Sequence, residues 1–442
     1  MSGMKRKAIL ALAVAAAVTA PSAFATNGYF TEGEGTVNRG MAGAGIAMPQ
    51  DALAAAINPA GIVKLGGRMD FGLGVFRPDR SYDISGNSFD VVNAGGPGPG
   101  VFYVSLNGSG DGNDTNNFLI PSFGYNMPLG SADAVNISVY GNGGMNTDYR
   151  DTVFAAFGSD GHTGVDLAQV FVNGAYAHSF GAVSVGASAI FAYQRFKASG
   201  LQAFDNPNFS TSPGDVTNNG YDTTNGFGGR LGVLYDISKA VSVGATYQTK
   251  IKGKFDKYKG LFAEDGEFDI PSTYGVGLHW KASPAVDVAF DYTRINYTDS
   301  KSVSNPIENL TVNGQKFGAS DGPGFGWTDI DVYKLGVQLK AGGGWTWRAG
   351  WNHGQNPIPS SQAVVNILAP GVVKDHLNLG FTKAVDKSSE VNFMYSHAFK
   401  NTVTGPIPGV PQAVGPTAGF GGGTAEISLS ENYAEIGYTK KF

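Results

Sequence analysis

Gly35 to Gly61, GTVNRGMAGAGIAMPQDALAAAINPAG, is dense in Ala and Gly and lacks the period-two alternation that fills most of the chain after it. A compact, non-strand segment ahead of a long run of strands reads as a plug, packed inside whatever those strands build. Asp51 stands where an N-cap is needed for a short helix carrying Leu53 and Ile57. Pro59 disfavours helical geometry at Asn58, so Asn58-Pro59-Ala60 is expected to end that helix as a fixed corner.

Upstream, Lys5, Arg6 and Lys7 precede an apolar run from Ala8 to Val18, and Ala23-Phe24-Ala25 places small residues at a cleavage point. This is the pattern of a secretory signal peptide over residues 1–25. The run is shorter than the roughly 20 residues a helix needs to cross a bilayer, and no later stretch comes close. Removing it takes away three cations and no acid, leaving 417 residues with a formal charge of −8. An acidic exported chain argues against nucleic acid as a partner. With no cysteine, disulfides, thiolate chemistry and Cys-based metal sites are excluded.

Downstream, apolar and polar residues alternate in fourteen segments: 68–77, 117–127, 134–144, 167–180, 182–196, 227–235, 241–255, 272–280, 286–297, 329–340, 345–351, 376–385, 390–399 and 425–442. Short turns such as 128–131, 282–284 and 342–344 alternate with long loops such as 78–115, 197–221, 305–326, 352–370 and 401–423. A soluble sandwich has no reason to keep one edge so consistently short. An even number of strands with one short-turn end and one long-loop end describes an outer-membrane barrel. The expected fold is thus an all-β membrane protein, a 14-stranded antiparallel barrel over residues 67–442, filled by an N-terminal plug with short helices over 26–66.

The faces agree. Val183, Val185, Ala187, Ala189 and Phe191 share one side of the fifth segment, while Ser184, Gly186, Ser188 and Gln194 share the other. Trp345, Trp347 and Trp351 oppose Thr346, Arg348 and Asn352 in the eleventh. The apolar sets should meet lipid, and Trp280, Trp345 and Tyr438 stand near strand ends where aromatic rings favour the interface. Catalysis finds no support: the six histidines are scattered, without an H-x-x-x-H spacing, and no G-x-S-x-G elbow occurs. No cofactor is expected.

The run Asn38-Arg39-Gly40-Met41-Ala42-Gly43-Ala44-Gly45, then Asp51-Ala52-Leu53, Asn58-Pro59-Ala60-Gly61 and fourteen strands together resemble the FadL family of outer-membrane transporters for long-chain fatty acids and other hydrophobic compounds. NISVYGNGGMNTD (136–148) is similar to the family's third strand, and FDIPSTYGVG (268–277) to its eighth. The resemblance implies capture of a hydrophobic ligand between the third and fourth extracellular loops and transfer to a pocket above an N-terminal hatch. It further implies release sideways through a kink in the third strand. The hatch gate would then be Asn58, Pro59 and Ala60. Gly141, Gly143 and Gly144 are candidates for the kink, because glycine weakens strand pairing and marks bulges.

Leu201, Phe204 and Phe209 in the third long loop and Leu261 and Phe262 in the fourth are candidates for the capture groove, as exposed apolar side chains on loops. A fatty-acid carboxylate needs an inward cation in a partly dry cavity, and alternation points Arg230, Lys334 and Arg348 inward. Inward acids such as Asp287 and Asp291 are the competing partners of those cations. Expected partners are the hydrophobic ligand and outer-membrane lipid, with the barrel acting as a monomer. Long-chain fatty acids and small aromatic hydrocarbons both remain open as ligands. A general diffusion porin is the competing function, though a plug would obstruct an open pore.

Overall fold

The computed structural model describes residues 26–92, 101–409 and 420–442. The expected signal peptide lies outside these residues. Fourteen antiparallel strands form one sheet: β1 (Arg68–Ser85), β2 (Phe118–Pro128), β3 (Asp133–Tyr149), β4 (Thr163–Ser179), β5 (Val183–Ser199), β6 (Asp222–Asp236), β7 (Val241–Gln248), β8 (Thr273–Lys281), β9 (Val286–Ile295), β10 (Ile330–Ala341), β11 (Trp345–Gly354), β12 (Asp375–Ala384), β13 (Ser389–Pro406) and β14 (Thr424–Lys441). β14 pairs back onto β1 from Arg68↔Lys441 to Ser85↔Thr424, so the sheet closes into a barrel with no open edge along that seam. At the end of the seam Phe442 donates its amide to Gly67 O (3.0 Å) and stacks on Tyr125.

Outward positions of β1 carry Phe71, Leu73 and Val75, each at least 40% exposed, between the buried inward residues Asp70, Gly72, Gly74 and Phe76. β5 and β11 alternate as expected, with Val183 and Val185 outward against Ser184 and Ser188, and Trp347 and Trp351 outward against Arg348 and Asn352. Trp280, Trp345 and Tyr438 all lie toward the short-turn end, Trp345 stacked on Trp347 at 5.4 Å. Among the described residues no helix is long and apolar enough to cross a membrane.

Several boundaries move. β1 runs on to Ser85 and pairs there with a loop strand, Gly108–Asp111. β7 stops at Gln248 where alternation suggested Phe255. Ile251 turns inward over Gly226 and Gly228, bridges Ile270, and lies where a Cβ on Gly228 would come within 2.5 Å of it. The apolar periodicity continued past the point where the chain had left the wall.

Residues ahead of β1 pack within the barrel. Asp51 accepts from Leu53 N at 2.8 Å and caps a 3-10 helix, Ala52–Ala56. Asn58 is extended, as its proline demands, and that helix ends just before it; its side chain also accepts from Ala60 N (3.1 Å) and starts a second 3-10 helix, Pro59–Lys64. The wall satisfies the plug's irregular backbone. Asp291 accepts from Gly45 N (2.7 Å) and Ile46 N (2.9 Å), Asp70 from Ala52 N (2.8 Å), and Asn136 donates to Ala52 O (2.9 Å). Asn58 Nδ2 donates to Ile46 O (2.8 Å) and to Val233 O of β6 (3.0 Å).

Asn58→Ala removes all three of these side-chain bonds, the one to the plug's own Ile46 O included. The loss is about 1–3 kcal/mol of plug docking. Hydrogen exchange of the amides between residues 46 and 60 should quicken tenfold or more, while the barrel keeps its heat-resistant band on gels. Unchanged exchange would show that the corner is held by packing alone.

Candidate functional site

The loops at the long-loop end enclose an apolar cavity of about 750 Å³, counting its open mouth. Leu201, Phe204, Leu261 and Phe262 all line it, joined by Phe154, Phe196 and Phe325 from elements far apart in sequence. These side chains are buried, Leu261 only partly, because they pack against one another across loops. Phe209 stacks behind Phe204 at 5.7 Å and does not line the cavity.

An aromatic partition lies beneath. Tyr297, just past β9, donates its hydroxyl to Asn27 O and accepts from Tyr29 N (3.1 Å). The rings of Tyr29, Tyr297 and Trp327 meet at centroid distances of 5.1 to 5.7 Å. Trp327 is fixed through Nε1 to Asn366 Oδ1 at 2.6 Å. Sequence reading missed this group, since Tyr29 and Phe30 belong to no periodic element and Tyr297 and Trp327 fall at loop edges.

Below the partition a second, more polar cavity of about 660 Å³ is bounded by Phe30, Glu32, Glu34, Ile46 and Ile57 of the plug and by Asn142, Arg230, Asp291 and Lys334 of the wall. Arg230 donates to the carbonyls of Ala56 and Ile57 and to Gln248, and Lys334 Nζ donates to Glu32 O at 2.7 Å. Neither cation has a carboxylate oxygen within 4.0 Å among the described residues. Asp291 serves the plug's amides, and Asp287 pairs with Lys340 (2.9 Å) and His279 (3.0 Å) near the short turns. Arg348 is not with the other two. It lies under the plug, held by Gln338 (2.9 Å) and Thr382 (2.8 Å), and faces a polar basin of about 1230 Å³ at the short-turn end.

The third strand departs from regular pairing where its glycines are. The β2–β3 ladder ends at Phe123↔Val139, and the β3–β4 register shifts between Gly141 and Gly143, leaving Asn142 as the extra residue. The plug's first residues take over: Thr31 N donates to Asn142 O (3.2 Å) and Gly144 N to Tyr29 O (3.0 Å). A Cβ on Gly143 would stand 2.1 Å from Tyr29 O, so only glycine admits this approach. Further along, Arg80 of β1 reaches Asn146 O at 2.7 Å, beside a side cavity of about 330 Å³ lined by Phe76, Pro78, Arg80, Met145 and Trp327.

Asn58, Pro59 and Ala60 sit under β5–β6, away from this bulge, and touch the cavity system only through Ile57. Asp114, Asp148 and His162 bring ligand atoms within 4.8 Å of one another on the loops. Arg150 already pairs with Asp114, and Thr115 donates to Asp148 at 2.6 Å. Nothing in these cavities assembles a nucleophile with a base.

A closed barrel, plugged from its own N-terminus, with an apolar loop cavity over a cation-bearing chamber, is the architecture of a conduit for hydrophobic molecules. A family model described as outer membrane protein transport protein (OMPP1/FadL/TodX) matches residues 12–412. The chain belongs to this family of outer-membrane transporters of hydrophobic compounds. It is 25% identical over 392 residues to a long-chain fatty acid transport protein of Escherichia coli O6:H1, covering 80% of this chain and 83% of the relative. In fold it is similar to the Pseudomonas putida toluene transporter TodX (TM-score 0.64, 18% identity, 93% of this chain and 99% of that one). It is similar also to a Pseudomonas aeruginosa FadL homologue (TM-score 0.66, 17% identity, 94% and 100%). The long-loop end therefore faces outward and the short turns face the periplasm.

Arg39 ties the plug to the wall, with Glu34 at 3.1 Å, Glu435 at 2.5 Å and Tyr433 Oη at 3.0 Å. Burial pushes the Glu34 carboxyl up to about 7, against the pull of Arg39 and with Glu435 adding to the rise. A carboxyl raised on docking binds more protons docked than free, so docking weakens as pH climbs from the ordinary carboxylate range through about 7. Exchange protection of amides 33–45, corrected for intrinsic rates, should be higher at pH 5 than at pH 8. Equal protection would mean that Glu34 is ionised at both.

Proposed function

We propose that the protein takes up long-chain fatty acids passively across the outer membrane, after loss of residues 1–25 as a signal peptide. The ligand enters the apolar loop cavity, where Leu201, Phe204, Leu261 and Phe262 bury its hydrocarbon at roughly 25 cal/mol per Å² of apolar surface. It passes the Tyr29–Tyr297–Trp327 partition into the chamber, and its carboxylate takes Arg230 and Lys334 from the plug carbonyls they now hold. A carboxylate is the stronger acceptor, so occupation loosens the plug at Glu32 and at Ala56 and Ile57. Asn58-Pro59-Ala60 is the corner about which the plug shifts. Release is sideways at Gly141–Gly144, where β3 lacks its β2 partner and is closed, among the described residues, by Tyr29–Thr31, Arg80 and loop contacts.

The observation that carries this reading is the pair of inward, part-buried cations in the chamber with no carboxylate oxygen within 4.0 Å among the described residues. A second reading, uptake of small aromatic hydrocarbons, is supported by the almost wholly apolar lining of the loop cavity. An open porin is disfavoured, because the plug and partition fill the lumen.

Cells lacking their own equivalent transporter and expressing this protein should take up labelled oleate and exclude a small sugar. Toluene entry without oleate would select the aromatic reading, and sugar entry would mean an open pore. Gly143→Val, which drives a side chain into Tyr29 O, should lower oleate uptake several-fold while the barrel stays heat-resistant. An unaffected rate would rule out lateral release at the bulge.

A further inference from the structure

Three side chains at one height of the wall hold six buried polar atoms that nothing among the described residues satisfies. The ladders align Lys334 with Asn352, Asn352 with His376, His376 with Ala398 and Ala398 with Glu431. Lys334, Asn352, His376 and Glu431 thus form one row on the inward face of β10, β11, β12 and β14. Asn352 and His376 are 0% exposed and Glu431 is 2% exposed. Neither amide atom of Asn352, neither ring nitrogen of His376 and neither carboxylate oxygen of Glu431 has a hydrogen-bond partner among the described residues. The Asn352 backbone lies beside His376 but outside bonding geometry. Buried polar groups are almost always paired, so six such atoms in one row call for a partner from elsewhere.

The position of the row says what that partner does. It starts in the chamber, which Lys334 lines, and ends at Glu431, whose ladder partner Pro78 lines the side cavity together with Arg80. Ala398 keeps the span between His376 and Glu431 clear of a large side chain. Asn27–Glu32 crosses the row. Toward the loops, Asn27 Oδ1 lies 2.7 Å from the Cβ position of Gly354, two residues beyond Asn352. Toward the short turns, Glu32 accepts from Asn378 (2.7 Å), two residues beyond His376, and from Ser396 (3.4 Å). The strap that covers the row is the same segment that closes the β3 bulge.

We propose that this row is a headgroup ledge for the carboxyl group of an amphiphile, uncovered when Asn27–Glu32 withdraws. Asn352 and His376 each donate and accept, which suits a carboxyl group in either protonation state. Glu431 donates to a carboxylate when protonated and accepts from a protonated carboxyl when ionised, so it too can serve either form. The headgroup moves along hydrogen-bond partners from Lys334 toward the side cavity while the hydrocarbon stays on apolar wall. A compound without a polar group gains nothing from the ledge. The assignment rests on the uptake reading and narrows it to carboxylic acids.

Asn352→Leu and His376→Leu replace orphaned polar atoms by hydrocarbon and leave the side chains of Arg230 and Lys334 themselves unaltered, His376 standing one strand further from Lys334 than Asn352. Cells carrying each variant, checked for the heat-resistant band, are to be compared with wild type for uptake of labelled oleate and toluene. Oleate uptake should fall about tenfold in each, the equivalent of losing one or two good hydrogen bonds, with toluene entry changed less than about twofold. Oleate uptake at the wild-type rate would overturn the ledge, as would a parallel fall for both compounds, which marks a packing defect. Should His376→Leu fail to fold, Asn352→Leu carries the same test. If wild type admits toluene but not oleate, the ledge falls while hydrophobic uptake stands; if it admits neither, both fall.

Discussion

Irregular backbone at membrane depth has no lipid partner for its N–H and C=O groups, and the whole interior of this protein follows from that constraint. The plug contains little regular structure, so the wall must supply its hydrogen bonds. Asp291 and Asp70 accept plug amides, while Asn136, Asn378, Lys334 and Arg230 donate to plug carbonyls. Inward polar residues that an empty barrel would pair with each other are pointed at the plug instead. That is why Arg230 and Lys334 make no ion pair among the described residues and are held by plug carbonyls instead.

The same constraint accounts for the glycines of the wall. Side chains satisfy a plug backbone only at short range, so the plug presses against strands that have no Cβ at the contact. A Cβ on Gly350 would lie 2.4 Å from Met41 C, and one on Gly186 would lie 2.5 Å from Ala60 N. The small residues of the plug and the glycines of β5 and β11 are two halves of one interface. Packing and hydrogen bonding there reinforce each other, since loss of either lengthens the other.

Apolar and polar functions are separated by height. Loops contribute the hydrocarbon cavity, the aromatic partition separates it from the chamber, and the strands below supply charge. Tyr29 packs in the partition and Phe30 lines the chamber while their backbone completes β3 at the bulge, so one short segment joins the partition, the chamber and the gap in the ladder. Any displacement of that segment alters all three.

Alternation in the amino-acid sequence was enough to determine fourteen strands, their lipid face and the division into short turns and long loops, because a side chain's face in a strand depends only on local geometry. The capping power of Asp51, the extended conformation of Asn58 and the inward direction of Arg230 and Lys334 were legible for the same reason, and the apolar residues of two loops were recognisable as a set. Alternation did not reveal that β7 ends at Gln248, that Asn58 also starts a second helix, or that Arg348 lies on the other side of the plug. Nor did it show that Tyr29, Tyr297 and Trp327 meet. Those facts depend on ladder register, on the height at which each strand passes the plug, and on contacts between residues hundreds of positions apart. Only closure of the barrel brings such residues together.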